Sequence, residues 1–350
     1  MQQTILVVPR EHWVRGLDSL RFVLALIVFL SHLENFPAAF FKSFDNTALK
    51  FIGIVINHLY LGPGAVIAFF IISGFVIHYP MKGKPLNVKQ FLIRRWVRIG
   101  IPMVVAFLIA LGFERGIWLI PAWSLYCELI YYTIYPLFRK LPISWQAQFR
   151  ISFVIAIILV LSLGGTELQS LLSQSNISYT GSYAMLGNFL TWLIGLPCWL
   201  IGVLIAEKID LIKRTVSTSR IWIIRIMMLM MSIIIVGLKA HWFVSYLFTL
   251  NIIAPIVGYW IACEILYFRT HEPWCTLECA GKFSYSLYLL HVVIATSIGM
   301  WLPRSLATYP LFIIITVFLA WMFYLLIEAP SHKLSRYLAS RAVFTSKTML

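Results

Sequence analysis

Charge is scarce in this chain. Only 12% of its 350 residues are Asp, Glu, Lys or Arg, and 61% are hydrophobic. Soluble domains carry about a quarter charged residues. The shortage, with a mean hydropathy of +0.87, excludes a fully hydrated surface and requires that much of the protein face lipid. Acidic residues are the rarest charge, 13 Asp and Glu against 28 Lys and Arg, for a net charge of +15. In an apolar chain such an excess marks cytoplasmic loops rather than a nucleic-acid partner. Cysteine is sparse too. Cys127, Cys198 and Cys263 lie in apolar segments, where a free thiol acts as a small hydrophobe. Cys275 and Cys279 share one short loop and make a poor metal or disulfide site, so no metal is expected. There is no linker, low-complexity tract or internal repeat to divide the chain. One membrane domain over 1–350 is expected, with no separate soluble domain. MQQTILVVPREHWVRG lacks the small-residue cleavage site of a signal peptide.

Long hydrophobic runs are abundant. A bilayer core requires about 20 apolar residues per helix. Ten segments qualify: 17–36, 58–79, 97–114, 117–138, 150–166, 184–206, 221–239, 243–267, 283–302 and 309–328. The fold expected is an all-α integral membrane bundle of about ten transmembrane helices. Gly62-Pro63-Gly64 interrupts the second, and 51–57 reads as a re-entrant or interfacial piece. With the N-terminus inside, 23 of the 28 Lys and Arg fall on the cytoplasmic side and 5 outside. That asymmetry puts both termini in the cytoplasm. Asn176-Ile-Ser178 fits a glycosylation sequon, a weak signal alone.

Ionisable groups at membrane depth are costly, so they usually face the bundle interior and mark function. In the first span Arg21 and His32 are separated by three helical turns, which places them on one face about 16 Å apart. Arg21 reads equally as a snorkelling interfacial residue or a ligand. In the fourth span Ser124 and Glu128 share a face, followed by Tyr131, Tyr132 and Tyr135. A buried carboxylate requires a partner, and His32 or an arginine is the obvious one. In the ninth, Tyr285, Tyr288 and His291 recur every three residues as supporting groups. Arg94, Arg95 and Arg98 crowd one turn at the cytoplasmic interface. That pattern suits topology and lipid headgroups, or phosphate through bidentate forks.

Six ordered segments carry a more specific signal: GLDSLRFVLALIVFLSH (16–32), FFIISGFVI (69–77), RRWVRIGIP (94–102), AWSLYCELIYY (122–132), GKFSYSLYLLH (281–291) and LIEAPSHKLSR (326–336). Together they resemble the acyltransferase-3 family of bacterial membrane acyltransferases. The resemblance implies transfer of an acyl group, often acetyl, from acyl-coenzyme A to a hydroxyl of a cell-surface or lipid-linked carbohydrate. It implies a bacterial cytoplasmic (inner) membrane location. Acyl-coenzyme A would serve as co-substrate, with no tightly bound cofactor, and an oligomer stays open. By motif, His32 matches the family's essential histidine, Arg21 its arginine partner and Glu128 the fourth-span glutamate. Arg94, Arg95 and Arg98 match its basic stretch, expected to meet coenzyme A. Asp18, Ser73, Ser124, Tyr285, Tyr288 and His291 fall within the matched segments as substrate-binding or supporting residues. On this reading His32 is the general base and Glu128 orients it, with an acyl-His32 intermediate an equally open route. The rival reading is a secondary transporter using the same buried groups; the chain shows no second half with matching interruptions.

Overall fold

The computed structural model describes residues 14–113, 121–173, 190–242 and 244–347. The sequon at 176–178, and parts of the fourth and sixth expected spans (117–120 and 184–189), lie outside the described residues. Among the described residues the fold is entirely helical, with no strand.

In chain order the α-helices are α1 (Leu17–His32), α2 (Phe36–Lys42), α3 (Thr47–Asn57), α4 (Gly62–His78) and α5 (Val88–Ala110). There follow α6 (Ala122–Phe138), α7 (Trp145–Leu163), α8 (Gly165–Ser173), α9 (Thr191–Lys208) and α10 (Thr218–Trp242). The last are α11 (Tyr246–Tyr267), α12 (Cys275–Ala280), α13 (Ser284–Gly299), α14 (Tyr309–Phe323) and α15 (Ala329–Lys347). The 51–57 piece is part of α3, set apart from α4 by a break at 58–61. Pro63 stands in the first turn of α4, where its missing N–H costs nothing.

Among the described residues six segments are long and apolar enough to cross a membrane: Thr47–Met81, Trp145–Leu163, Thr191–Leu211, Thr218–Trp242, Tyr246–Tyr267 and Tyr309–Ala342. Joined with α2 across a 58° bend, α1 makes a seventh. A helix stands at each of the ten expected positions, but α5, α6 and α13 fall short. α6 and α13 are 17 and 16 residues long, and α5 carries Lys89, Arg94, Arg95 and Arg98. These three bear most of the polar residues singled out above, while Asp18, Arg21 and His32 stand on α1 and Ser73 on α4. Their polar faces turn toward one another, because hydrocarbon would leave those groups unsatisfied.

Two close contacts fix the bundle. α4 and α9 cross backbone to backbone through reciprocal glycines. A Cβ on Gly74 would sit 2.0 Å from the Trp199 carbonyl oxygen, and one on Gly202 would sit 1.9 Å from that of Ile71. Such small residues let membrane helices approach closely. The N-terminus of α1 is capped from a distance. The Glu278 carboxylate accepts from Gly16 N at 3.1 Å, Ser19 N at 3.0 Å and Ser19 Oγ at 2.6 Å. A carboxylate there satisfies orphan donors and opposes the helix dipole. Just beyond it, a Cβ on Gly281 would lie 2.1 Å from the Asp18 carbonyl oxygen. This contact explains the glycine opening the GKFSYSLYLLH segment: it lets α13 start against α1.

Candidate active site

α13 acts as a ladder whose rungs are three residues apart. Each step advances about 4.5 Å along the axis. Tyr285, Tyr288 and His291 therefore meet three different parts of the bundle.

The top rung is His291. It is fully buried, and its ring lies 5.0 Å from that of His32. His291 Nδ1 is 2.8 Å from the Tyr288 carbonyl oxygen, to which only an N–H can bond, so Nδ1 carries the proton. His291 Nε2 is then a bare acceptor, 3.3 Å from His32 Nδ1. His32 Nδ1 is also 2.8 Å from the Val28 carbonyl oxygen. Two acceptors on one nitrogen fix the His32 tautomer with Nδ1–H inward and an unprotonated Nε2 outward. His32 itself is exposed, at the C-terminal end of α1. Ser31, beside it, seats the start of α4: a Cβ on Gly62 would meet Ser31 Oγ at 2.2 Å.

The middle rung is Tyr288, whose hydroxyl shares a 2.5 Å hydrogen bond with Ser124 Oγ. One turn along α6, Glu128 accepts a hydrogen bond from the Tyr132 hydroxyl. Behind it the donors line up in one direction. Trp199 Nε1 donates to Ser73 Oγ at 3.3 Å. Ser73 Oγ lies 3.1 Å from the Tyr132 oxygen, which has already given its own hydrogen to Glu128. Ser73 is thus a link in the support of Glu128. The expected pairing of Glu128 with His32 is not what these bonds form: Glu128 rests on Tyr132, and His32 rests on His291.

The bottom rung is Tyr285. It donates to the Ile99 carbonyl oxygen at 3.0 Å and so ties α13 to α5. The three arginines of α5 part company here. Arg94 is exposed. Arg95 lies over the rings of Phe91 and Tyr132, with Cζ 5.7 Å and 5.8 Å from their centroids, a favourable placement for a guanidinium. Arg98 turns toward α15, where its Nε donates to His332 Nε2 at 3.0 Å. Arg21 joins this end of the site: its Nη1 is 3.4 Å from Asp18 Oδ1, and both Arg21 and Arg98 act electrostatically on Glu328 and His332.

Glu328 and His332 are the functional candidates that reading the sequence missed. Both lie in LIEAPSHKLSR, but no residue was drawn from that segment, and Glu328 sits at the very end of an apolar run. In the fold Glu328 is 1% exposed, accepts from Ser286 Oγ at 2.5 Å, and places Oε1 3.5 Å from His332 Nε2.

Among the described residues the arrangement offers an imidazole nitrogen without a partner at one end and a group of guanidiniums at the other. Between them stands a carboxylate whose supporting donors are all accounted for. A family model described as an acyltransferase domain matches residues 14–325. No curated protein and no solved structure matches the chain.

Proposed function

The chain belongs to the acyltransferase-3 family and is a membrane acyltransferase, and from that premise we propose that it moves an acyl group from cytosolic acyl-coenzyme A to a carbohydrate hydroxyl. The acyl group is acetyl and the acceptor a cell-surface or lipid-linked glycan. Ten helices cross a bacterial inner membrane with both termini in the cytoplasm, the arrangement favoured by the 23-to-5 division of basic residues.

The observation that carries this reading is the His32–His291 contact. It leaves His32 Nε2 as an available base on an exposed edge. His32 Nε2 takes the proton of the acceptor hydroxyl as its oxygen attacks the thioester carbonyl. The carbon–sulfur bond breaks, and the imidazolium returns the proton to the leaving thiolate, so acid and base work balance. His291 Nε2 shares the Nδ1–H of His32 with the Val28 carbonyl oxygen and stabilises the cation, the service that a carboxylate gives in hydrolase triads. The donor's phosphates dock on the arginines at the cytoplasmic end, chiefly Arg98 with Arg21, since guanidinium forks match phosphate geometry. The flexible arm carries the thioester along the polar faces of α13 and α6 toward His32. Glu128 lies beside this path, where its carboxylate accepts a donor from the arm or the sugar.

The test is reconstitution in nanodiscs with radiolabelled acetyl-coenzyme A, measuring binding and slow hydrolysis. Wild type is compared with the Arg94/Arg95/Arg98 triple alanine variant. Saturable binding that the triple variant loses supports the proposal. Failure to bind acetyl or longer acyl donors, with proton-coupled uptake of a solute instead, would establish the transporter reading.

A further inference from the structure

The stretch between α14 and α15 is a π-helical turn, Tyr324–Glu328. Wide turns of this kind cluster at functional sites, and here the cause is visible. Pro330 follows two residues later, lacks an N–H, and would crowd the carbonyl four residues before it. The widened turn relieves that clash. It also delivers Glu328 into the interior at the point where α15 packs along α5.

There His332 meets a guanidinium, and Glu328 stands beside it within its electrostatic reach. Ser286 Oγ, from α13, fixes Glu328 Oε2 at 2.5 Å. Glu328 Oε1 lies 3.5 Å from His332 Nε2, a nitrogen without a proton to give it, so Glu328 contributes its charge there and no hydrogen bond. His332 Nε2 accepts the Nε–H of Arg98 at 3.0 Å. Ser331 Oγ gives its hydrogen to the Glu328 carbonyl oxygen at 2.7 Å and lies 3.4 Å from the Arg98 carbonyl oxygen, so α15 packs against α5 at the same place. An arginine has five N–H donors in a rigid plane. One is used by His332, and among the described residues the two terminal amino groups of Arg98 form no hydrogen bond. The side chain is only half-buried. A guanidinium gripped by its Nε edge, with both amino groups free, is a bidentate receptor for a phosphate oxygen pair.

We infer that His332 and Glu328 are positioning residues, His332 holding Arg98 by its Nε edge and Glu328 steadying the guanidinium through its buried charge, so that the two amino groups of Arg98 receive a phosphate of the acyl donor. Both lie beyond the residues matched by the family model, 14–325. The inference rests on the reading that the donor docks at the cytoplasmic end of α5. It adds that α15 sets the affinity of that docking without touching the reacting atoms.

The experiment compares two acetyl donors in the reconstituted full chain: acetyl-coenzyme A, and S-acetyl-pantetheine, which has the same thioester and no phosphate. The readout is the ratio of their kcat/KM values in wild type, Arg98→Lys, His332→Gln and Glu328→Gln. Activity with the phosphate-free donor shows in each case that the variant is folded. The expected result is a ratio lowered about tenfold in all three variants through a raised KM for acetyl-coenzyme A, the loss expected when one charge-assisted contact is misplaced. If Arg98→Lys lowers the ratio and the other two do not, docking on Arg98 stands and the positioning inference falls. If none of the three changes it, the docking reading fails and takes the inference with it. Equal losses with both donors, or a raised KM for the acceptor alone, would overturn it as well.

Discussion

His291 Nε2 faces His32 Nδ1 across 3.3 Å, and its own Nδ1–H is committed to the Tyr288 carbonyl oxygen at 2.8 Å. A neutral imidazole therefore stands where hydrolases place a carboxylate behind the catalytic histidine. Replacing His291 with Leu keeps the apolar volume and removes the acceptor. The expected outcome is a kcat lowered about 10- to 100-fold, the usual cost of removing an orienting partner, with the acyl-coenzyme A KM little changed. Steady-state kinetics of the reconstituted variant checks it; an unaltered kcat would show that Val28 alone holds the ring.

Tyr132 joins Glu128 to Ser73 and Trp199. The change Tyr132→Phe leaves the carboxylate without that donor and strands the Ser73 hydroxyl. A loss of about 1–3 kcal/mol in stability is expected, because buried polar groups are left unpaired. Ser73→Ala interrupts the same chain further from the charge and should cost less. Thermal unfolding of the purified variants in detergent orders the two.

The α4–α9 crossing admits no Cβ. Gly202→Ala would press a methyl onto the Ile71 carbonyl oxygen, with 1.9 Å available. Backbone cannot swing aside as a side-chain tip can, so at least about 2 kcal/mol of destabilisation is expected. Gly100 in α5 has nothing within 4 Å of its missing Cβ. There Gly→Ala should instead stabilise by about 0.5–1 kcal/mol through helix propensity. Opposite shifts in melting temperature are the result to look for.

Not every buried charge serves chemistry. Glu264 on α11 is 3% exposed and takes a bidentate grip from Arg225, with Nε and Nη2 each 2.8 Å from an oxygen. Trp260 Nε1 adds a third donor at 2.9 Å. Arg225→Ala uncovers a buried carboxylate, and about 3 kcal/mol of lost stability is expected. Specific activity of the surviving folded fraction should match wild type; a selective loss of turnover would place this pair in the mechanism.

That pair also marks what the sequence discloses. The helical class, the positions of the helices and the motif residues were legible because apolar runs and ionisable exceptions stand out in one dimension. The rule that buried charge signals function picks out Glu128, but Glu264 satisfies it equally. Only the partners separate them: Arg225 and Trp260 donate to Glu264, whereas among the described residues Glu128 accepts from the Tyr132 hydroxyl alone. The three arginines of α5 read as one cluster, yet helical geometry turns Arg94 outward, Arg95 onto aromatic rings and Arg98 toward α15. The His32–His291 contact joins residues 259 positions apart, and no local spacing announces it. Glu328 was hidden by a π-helical turn, which breaks the 3.6-residue periodicity on which a face assignment depends.

The most direct test of the account measures donor binding and acyl transfer on the same reconstituted sample of His32→Ala. The account predicts that acetyl-coenzyme A binds with an affinity within a few-fold of wild type, since its phosphates dock at the far end of α1, about 16 Å away. Transfer should fall by at least about 100-fold, the contribution of a positioned general base. Substantial transfer by His32→Ala would contradict the assignment of the base.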